Sequence, residues 1–168
     1  MRPVDQTVFG VPGGNCFSAC VATILECDLT EVPYFMGGPE EWERDGGKWW
    51  ERFQAWLEPR GLAADYYQPG KNCARKHRPN FPHLLGGRSP RDLLTDEEKL
   101  ALGIVMPAGE DLLHSVVAVG HEVVHDPHPS RAGLLDHRDF IVIRSIHDRP
   151  GFSYDASDSA AHDVGGEA

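Results

Sequence analysis

Cys16 stands directly after Gly13, Gly14 and Asn15 and opens the run CFSACVATILEC, in which Phe17, Val21, Ile24 and Leu25 recur at helical spacing. A cysteine in the first turn of a helix meets unpaired backbone N–H groups and the positive end of the dipole, and both favour the thiolate. The preceding glycines permit a sharp turn and let a substrate approach without Cβ clashes. Cys20, one turn further on and inward, and Cys27, at the helix end, are expected as small packing residues, while Cys73 lies in a basic, irregular segment. The chemistry expected of Cys16 is nucleophilic attack on an acyl group through a thioester, which requires neither a metal nor another cofactor.

A thiolate of this kind needs an imidazole to hold its charge and to protonate the leaving group, and the imidazole needs an acceptor. The run HSVVAVGHEVVHDP supplies both, with His114 opening one β-branched stretch and Asp126 closing the next. Read as an antiparallel hairpin, strand start meets strand end, so register decides whether the two side chains share a face. A two-residue loop, Gly120–His121, pairs Ser115 with Asp126 and turns His114 to the opposite face. A three-residue loop, Val119–His121, pairs Ala118 with Glu122 and sets His114 opposite Asp126, so the chemistry requires this register. Asp136 and Asp139 are the replacement acids if the hairpin has the regular two-residue register.

The oxyanion of an acyl-transfer intermediate needs donors, and the Cys16 backbone N–H is one. A side-chain amide is the expected second, with Gln6 preferred because the Gly-rich loop before Cys16 is long enough to fold back. Asn15 is adjacent to the nucleophile and either meets substrate or shapes the turn. Arg131, in the HPSRAG segment after Asp126, carries a planar donor fork suited to a substrate carboxylate, or is a surface residue of that turn.

Gln6, GNCFSAC at the head of a helix, HSVVAVG and VVHDP together resemble the papain-like cysteine peptidases of the bacteriocin-processing type, over most of the chain. The resemblance implies an α+β papain-like fold, with an N-terminal helix carrying the nucleophile packed on an antiparallel sheet carrying the His and the Asp. It implies Cys16 as nucleophile, His114 and Asp126 as its partners, Gln6 in the oxyanion hole, and a peptide or amide as substrate. The chain differs from that pattern in a longer Gln-to-Cys interval, in Asn15 where an Asp is usual, and in having no transporter domain after it, as in stand-alone phage or bacterial forms.

The remaining elements must position these residues. Trp49, Trp50, Phe53, Trp56 and Leu57 predict an amphipathic helix with an aromatic core face, stopped by Pro59 and Gly61. LAADYY after Gly61 reads as a strand, and DFIVIRSIH from Asp139 to His147 as another. Thr95 with Glu98 three positions on is a capping box for a short helix. Residues 68–92, rich in Pro, Gly, Arg and His, read as a long surface loop. The 168 residues, 40% of them hydrophobic, with 18 Gly and 13 Pro, fit one α+β domain over residues 1–149, followed by a small-residue, acidic, disordered tail over 150–168.

A formal net charge of −10 repels phosphate backbones, which argues against a nucleic-acid partner; Arg75, Lys76 and Arg78 read as a solvated loop. No apolar run approaches membrane-spanning length or a signal-peptide core, so a cytoplasmic protein with reduced thiols and no membrane partner is expected. Two further readings compete. On the same fold, the thioester passes to an amine (an acyltransferase), or an inactive site only binds peptides. Alternatively, the histidines at 121, 125 and 128 with Asp126 and the cysteines build a zinc-binding interaction module, against which stand the missing CxxC spacing and the alternation that turns His125 away from Asp126.

Overall fold

The computed structural model describes residues 1–10, 13–37, 48–68, 79–104 and 110–148. It is α+β: five antiparallel strands in the order β1-β5-β2-β3-β4 with helices packed against them. The elements are α1 (Cys16–Leu25), α2 (Trp49–Leu57), β1 (Leu62–Tyr67), β2 (His83–Arg88), α3 (Asp96–Ala101), β3 (Leu113–Val119), β4 (Glu122–His125) and β5 (Asp139–Ser145). No helix among the described residues is long and apolar enough to cross a membrane.

Strand alternation divides the core between the two faces of the sheet. On one face Leu84 of β2, Val117 of β3 and Ile141 of β5 meet Phe17, Cys20 and Val21 of α1 and Phe53 and Leu57 of α2. On the other, Leu85, Val116, Ala118, Phe140 and Val142 pack together with Tyr67, Val123 and Leu134. Burial on both faces is why β3 and β5 are written as nearly continuous apolar runs. The aromatic residues of α2 serve as core: Phe17, Phe35 and Phe53 meet edge to face at 5.1–6.0 Å, with Trp49 5.5 Å from Phe17. Gly61 at φ 68 ends the turn that follows α2, and Thr95 with Glu98 forms the full capping box of α3.

Two expectations are corrected. Residues 68–92 are not a continuous loop: β2 lies in the middle of the sheet between β5 and β3, followed by a 3-10 turn over Pro90–Leu93. The strand HLLGGR carries two glycines and weak alternation because it is selected for close approach. A Cβ on Gly87 would fall on the Asp136 carbonyl oxygen, and one on Gly86 on the Asp139 carboxylate. Residues 69–78, with Arg75, Lys76, Arg78 and Cys73, and the tail over 150–168 lie outside the described residues.

The hairpin, secondly, has the two-residue turn: Val119 pairs with Glu122 and Ala118 with Val123. The register then shifts, and Val117 pairs with His125, leaving Val124 as an extra, unpaired residue. This β-bulge changes the parity of everything beyond it. Asp126 falls beside Val116 rather than Ser115 and shares the face of His114. The shared face that was assigned to a three-residue loop is thus achieved by a tight turn and a bulge.

Candidate active site

The turn that delivers Cys16 is held by its own backbone and by Asn15. The Asn15 Oδ1 accepts from the N–H groups of Thr7 and Val8, both at 3.0 Å, and its Nδ2 donates to the Thr7 hydroxyl at 3.2 Å. Gly14 donates to the Gly10 carbonyl at 3.0 Å, and a Cβ there would lie 2.7 Å from that same oxygen, so only glycine closes the turn. Asn15 therefore fastens residues 7–8 to the start of α1; its side-chain groups are engaged by Thr7 and Val8, which fits the turn-shaping alternative rather than substrate contact.

His114 and Asp126 are buried, 4% and 5% exposed, and the imidazole Nε2 lies 2.7 Å from the Asp126 Oδ1. Asp126 also accepts from the N–H groups of His128 at 2.9 Å and Gly133 at 2.8 Å, so the loop after β4 curls around the carboxylate. Arg131 closes that loop: its Nη1 donates to the Asp126 carbonyl and its Nη2 to the Asp5 carboxylate at 2.8 Å. Arg131, half-exposed, thus ties the loop around Asp126 to Asp5, which fits the reading of a residue of that turn.

Burial by itself would raise the Cys16 thiol. The hydrogen bond from His114 and its positive charge, then the N–H groups of Ser115 and Phe17, outweigh burial and hold the thiol below its ordinary value. For His114, burial disfavours the cation, but the hydrogen bonds to Asp126 and Cys16 and their negative charges prevail, and its pKa is pushed up to about 9. Asp126 is depressed: burial opposes its charge and the donors from His114, His128 and Gly133 overcome it. The imidazolium is thus favoured from both sides, by Cys16 and by Asp126, and in turn favours the charged form of each. Cys20, fully buried and facing the negative charges of Cys16 and Asp126, is pushed well above the usual thiol range and is inert by comparison.

Gln6 is buried on the segment that Asn15 fastens to α1. Its N–H donates to the Pro127 carbonyl at 3.0 Å, its Nε2 to the Val8 carbonyl at 3.1 Å, and its Oε1 is buried without a partner. The Gln6 segment thereby ties the turn before Cys16 to the loop that holds Asp126. Among the described residues no three His, Cys, Asp or Glu side chains converge as metal ligands. His125 binds the Val4 carbonyl at 2.9 Å, and Asp136 and Asp139 are occupied by the Arg88 N–H at 2.7 Å and the Tyr66 hydroxyl at 3.0 Å.

Of three further residues at the site, Tyr34 and Arg91 are not signalled by sequence spacing, and His128 is signalled only as a metal ligand. The Tyr34 hydroxyl is pushed up by burial, against the Gly13 N–H, and by the negative charge of Cys16. His128 meets the His114 ring edge-on at 6.2 Å. Arg91 lines a small pocket with Ser89, His114, Asp126, His128 and Gly133. Each is brought there by an element that carries no motif of its own. Comparison with family models, curated proteins and solved structures returned no match to this chain.

Proposed function

We propose that this chain is a cysteine-dependent acyl-group hydrolase, a peptidase or amidase of the papain-like type, using Cys16, His114 and Asp126. One observation carries the reading: a buried imidazole lies 2.7 Å through its Nε2 from a buried carboxylate and favours the ionised form of a thiol in the first turn of a helix. In this mechanism the Cys16 Sγ attacks the substrate carbonyl carbon and the C–S bond forms. The oxyanion takes the Cys16 N–H and a second donor, assigned to the Gln6 side chain. His114 delivers its Nδ1 proton to the leaving amine, the C–N bond breaks and a thioester remains. Water then attacks the thioester, giving its proton to His114, and Cys16 leaves as the thiolate. Asp126 orients the ring and stabilises its charge without taking the proton.

The test is intact-mass labelling with a panel of electrophilic acyl probes. Wild type should gain one acyl adduct, mapped to Cys16, and Cys16→Ala none. With a substrate found from that panel, Cys16→Ala and His114→Ala should lose activity by about 1,000-fold or more, whereas Asp126→Ala should retain measurable turnover. The double variant at 114 and 126 should resemble His114→Ala alone. Full activity in His114→Ala removes the proposal.

A further inference from the structure

Arg91 sits in the 3-10 turn Pro90–Leu93, carried beside His114 by the pairing of β2 with β3. The turn is pinned on both sides of it. The Ser89 N–H donates to the Leu112 carbonyl at 2.7 Å, the Asp92 carboxylate accepts from the Leu112 N–H at 3.1 Å, and the Ser89 hydroxyl accepts from the Arg91 N–H at 3.3 Å. Its guanidinium is treated differently from those of the other described arginines. Arg2, Arg88, Arg131, Arg138 and Arg144 pair with carboxylates, and Arg52 and Arg60 donate to backbone carbonyls. Arg91, half-buried, has neither kind of side-chain partner among the described residues.

A guanidinium stays charged at any working pH and presents five donors in a plane, so a half-buried one that spends them on no protein acceptor keeps its fork open to a ligand. The pocket it lines has His114 and Asp126 among its walls but not Cys16, so it adjoins the imidazole rather than the sulfur. In an acyl transfer the acyl carbon is at Sγ and the leaving group takes its proton from the imidazole, so what extends past His114 is the leaving group. We propose that Arg91 is a specificity-determining residue that binds a carboxylate on the leaving-group portion of the substrate. The proposal rests on the acyl-hydrolase reading above and narrows its substrates to those releasing an acidic product. The carboxylate is either the free C-terminus of a peptide or an acidic side chain.

Thiol–disulfide exchange tests this without an acyl substrate. The Cys16 thiolate attacks one sulfur of a symmetrical disulfide, a new S–S bond forms, the old one breaks, and the other half departs as a thiol after protonation. Three probes differ in the group that each half carries, the departing half included: N,N′-diacetylcystine carries an α-carboxylate, its bis-amide carries none, and the disulfide of acetyl-Cys-Asp-amide carries a side-chain carboxylate. Rates are measured for wild type, Arg91→Gln and Arg91→Lys, with exchange at Cys16 located by peptide mass. The ratio of acid to bis-amide rate should be about tenfold higher in wild type than in Arg91→Gln for at least one acid, the size expected of a charge-assisted hydrogen bond. Arg91→Lys, a point charge without the fork, should fall between. The acid whose ratio drops identifies the source of the carboxylate. A change in Cys16 ionisation alters all three rates together and cancels in the ratio. Equal ratios in wild type and Arg91→Gln for both acids overturn the proposal; a Cys16 that exchanges with this preference yet takes no acyl probe overturns the hydrolase reading instead.

Discussion

A half-buried thiol beside a neutral ring would be a weak nucleophile; Cys16 and His114 differ because each lowers the cost of ionising the other. Alkylation of Cys16 by iodoacetamide should therefore rise with a midpoint below the roughly 8.5 of a free cysteine. In His114→Ala the burial effect is left opposed only by two N–H groups, and the midpoint should move up by one unit or more; a midpoint unmoved by that substitution would mean that the imidazole does not activate the thiol. Asp126→Asn should lower the His114 pKa from about 9 and shift the Cys16 midpoint upward by a smaller step, read by NMR of the imidazole together with alkylation. The meeting of Cys16 with His114 and Asp126 was legible because each lies next to a strong local signal, a glycine turn into a helix or a strand end. Arg91 and His128 gave no such signal: one follows a strand disguised by glycines, and the other is half of a loop whose shape depends on Asp126.

The helix α1, the α3 capping box and strands β1, β3 and β5 could be read from periodicity because each spends its residues on its own face or its own cap. β2 spends its residues on a neighbour. Its glycines leave space for the Asp136 carbonyl, and Gly87 pairs with His114 itself, so their value is invisible until the 133–138 segment is laid across them. Gly87→Ala should destabilise the protein by about 2 kcal/mol or more, since backbone must shift to admit the methyl group; urea unfolding at pH 7 measures it. The same substitution should slow Cys16 alkylation by displacing His114, whereas Gly133→Ala should act through Asp126, whose carboxylate accepts the Gly133 N–H and whose loop needs φ 70 at that position. An unchanged unfolding midpoint for Gly87→Ala would show that Asp136 can withdraw freely. The hairpin register, too, lay beyond the sequence: both loop lengths suit GH between β-branched runs, and only the bulge at Val124, a compromise between turn twist and burial of Asp126, decides the face.

Stability against pH should carry the mark of the same three groups. His114, raised from 6.5 to about 9, contributes stability that is complete below about 6.5 and is lost as pH rises through about 9. Asp126, depressed from 3.8, contributes stability present above that ordinary value and lost as pH falls through its folded one. Chemical denaturation measured from pH 3 to pH 10 should show both limbs; Asp126→Asn should flatten the acid limb and His114→Gln the alkaline one, and limbs untouched by either substitution would assign the pH dependence to other groups. The bulge, finally, sets a rule of inheritance. His114 and Asp126 are separated by 12 positions, an even step that a regular two-residue hairpin cannot bring to one face. A codon gained within the turn leaves the pairing of β3 with β4 and the shared face in place, whereas a single codon gained within β4 would turn the acid away from the imidazole and a second would restore it. Loss of the Val124 codon is the exception, because the residue removed is the unpaired one and the alignment of His125 with Val117 survives. Descendants of this chain should therefore vary freely in the length of the turn, but in the length of β4 only by twos, or by one at position 124.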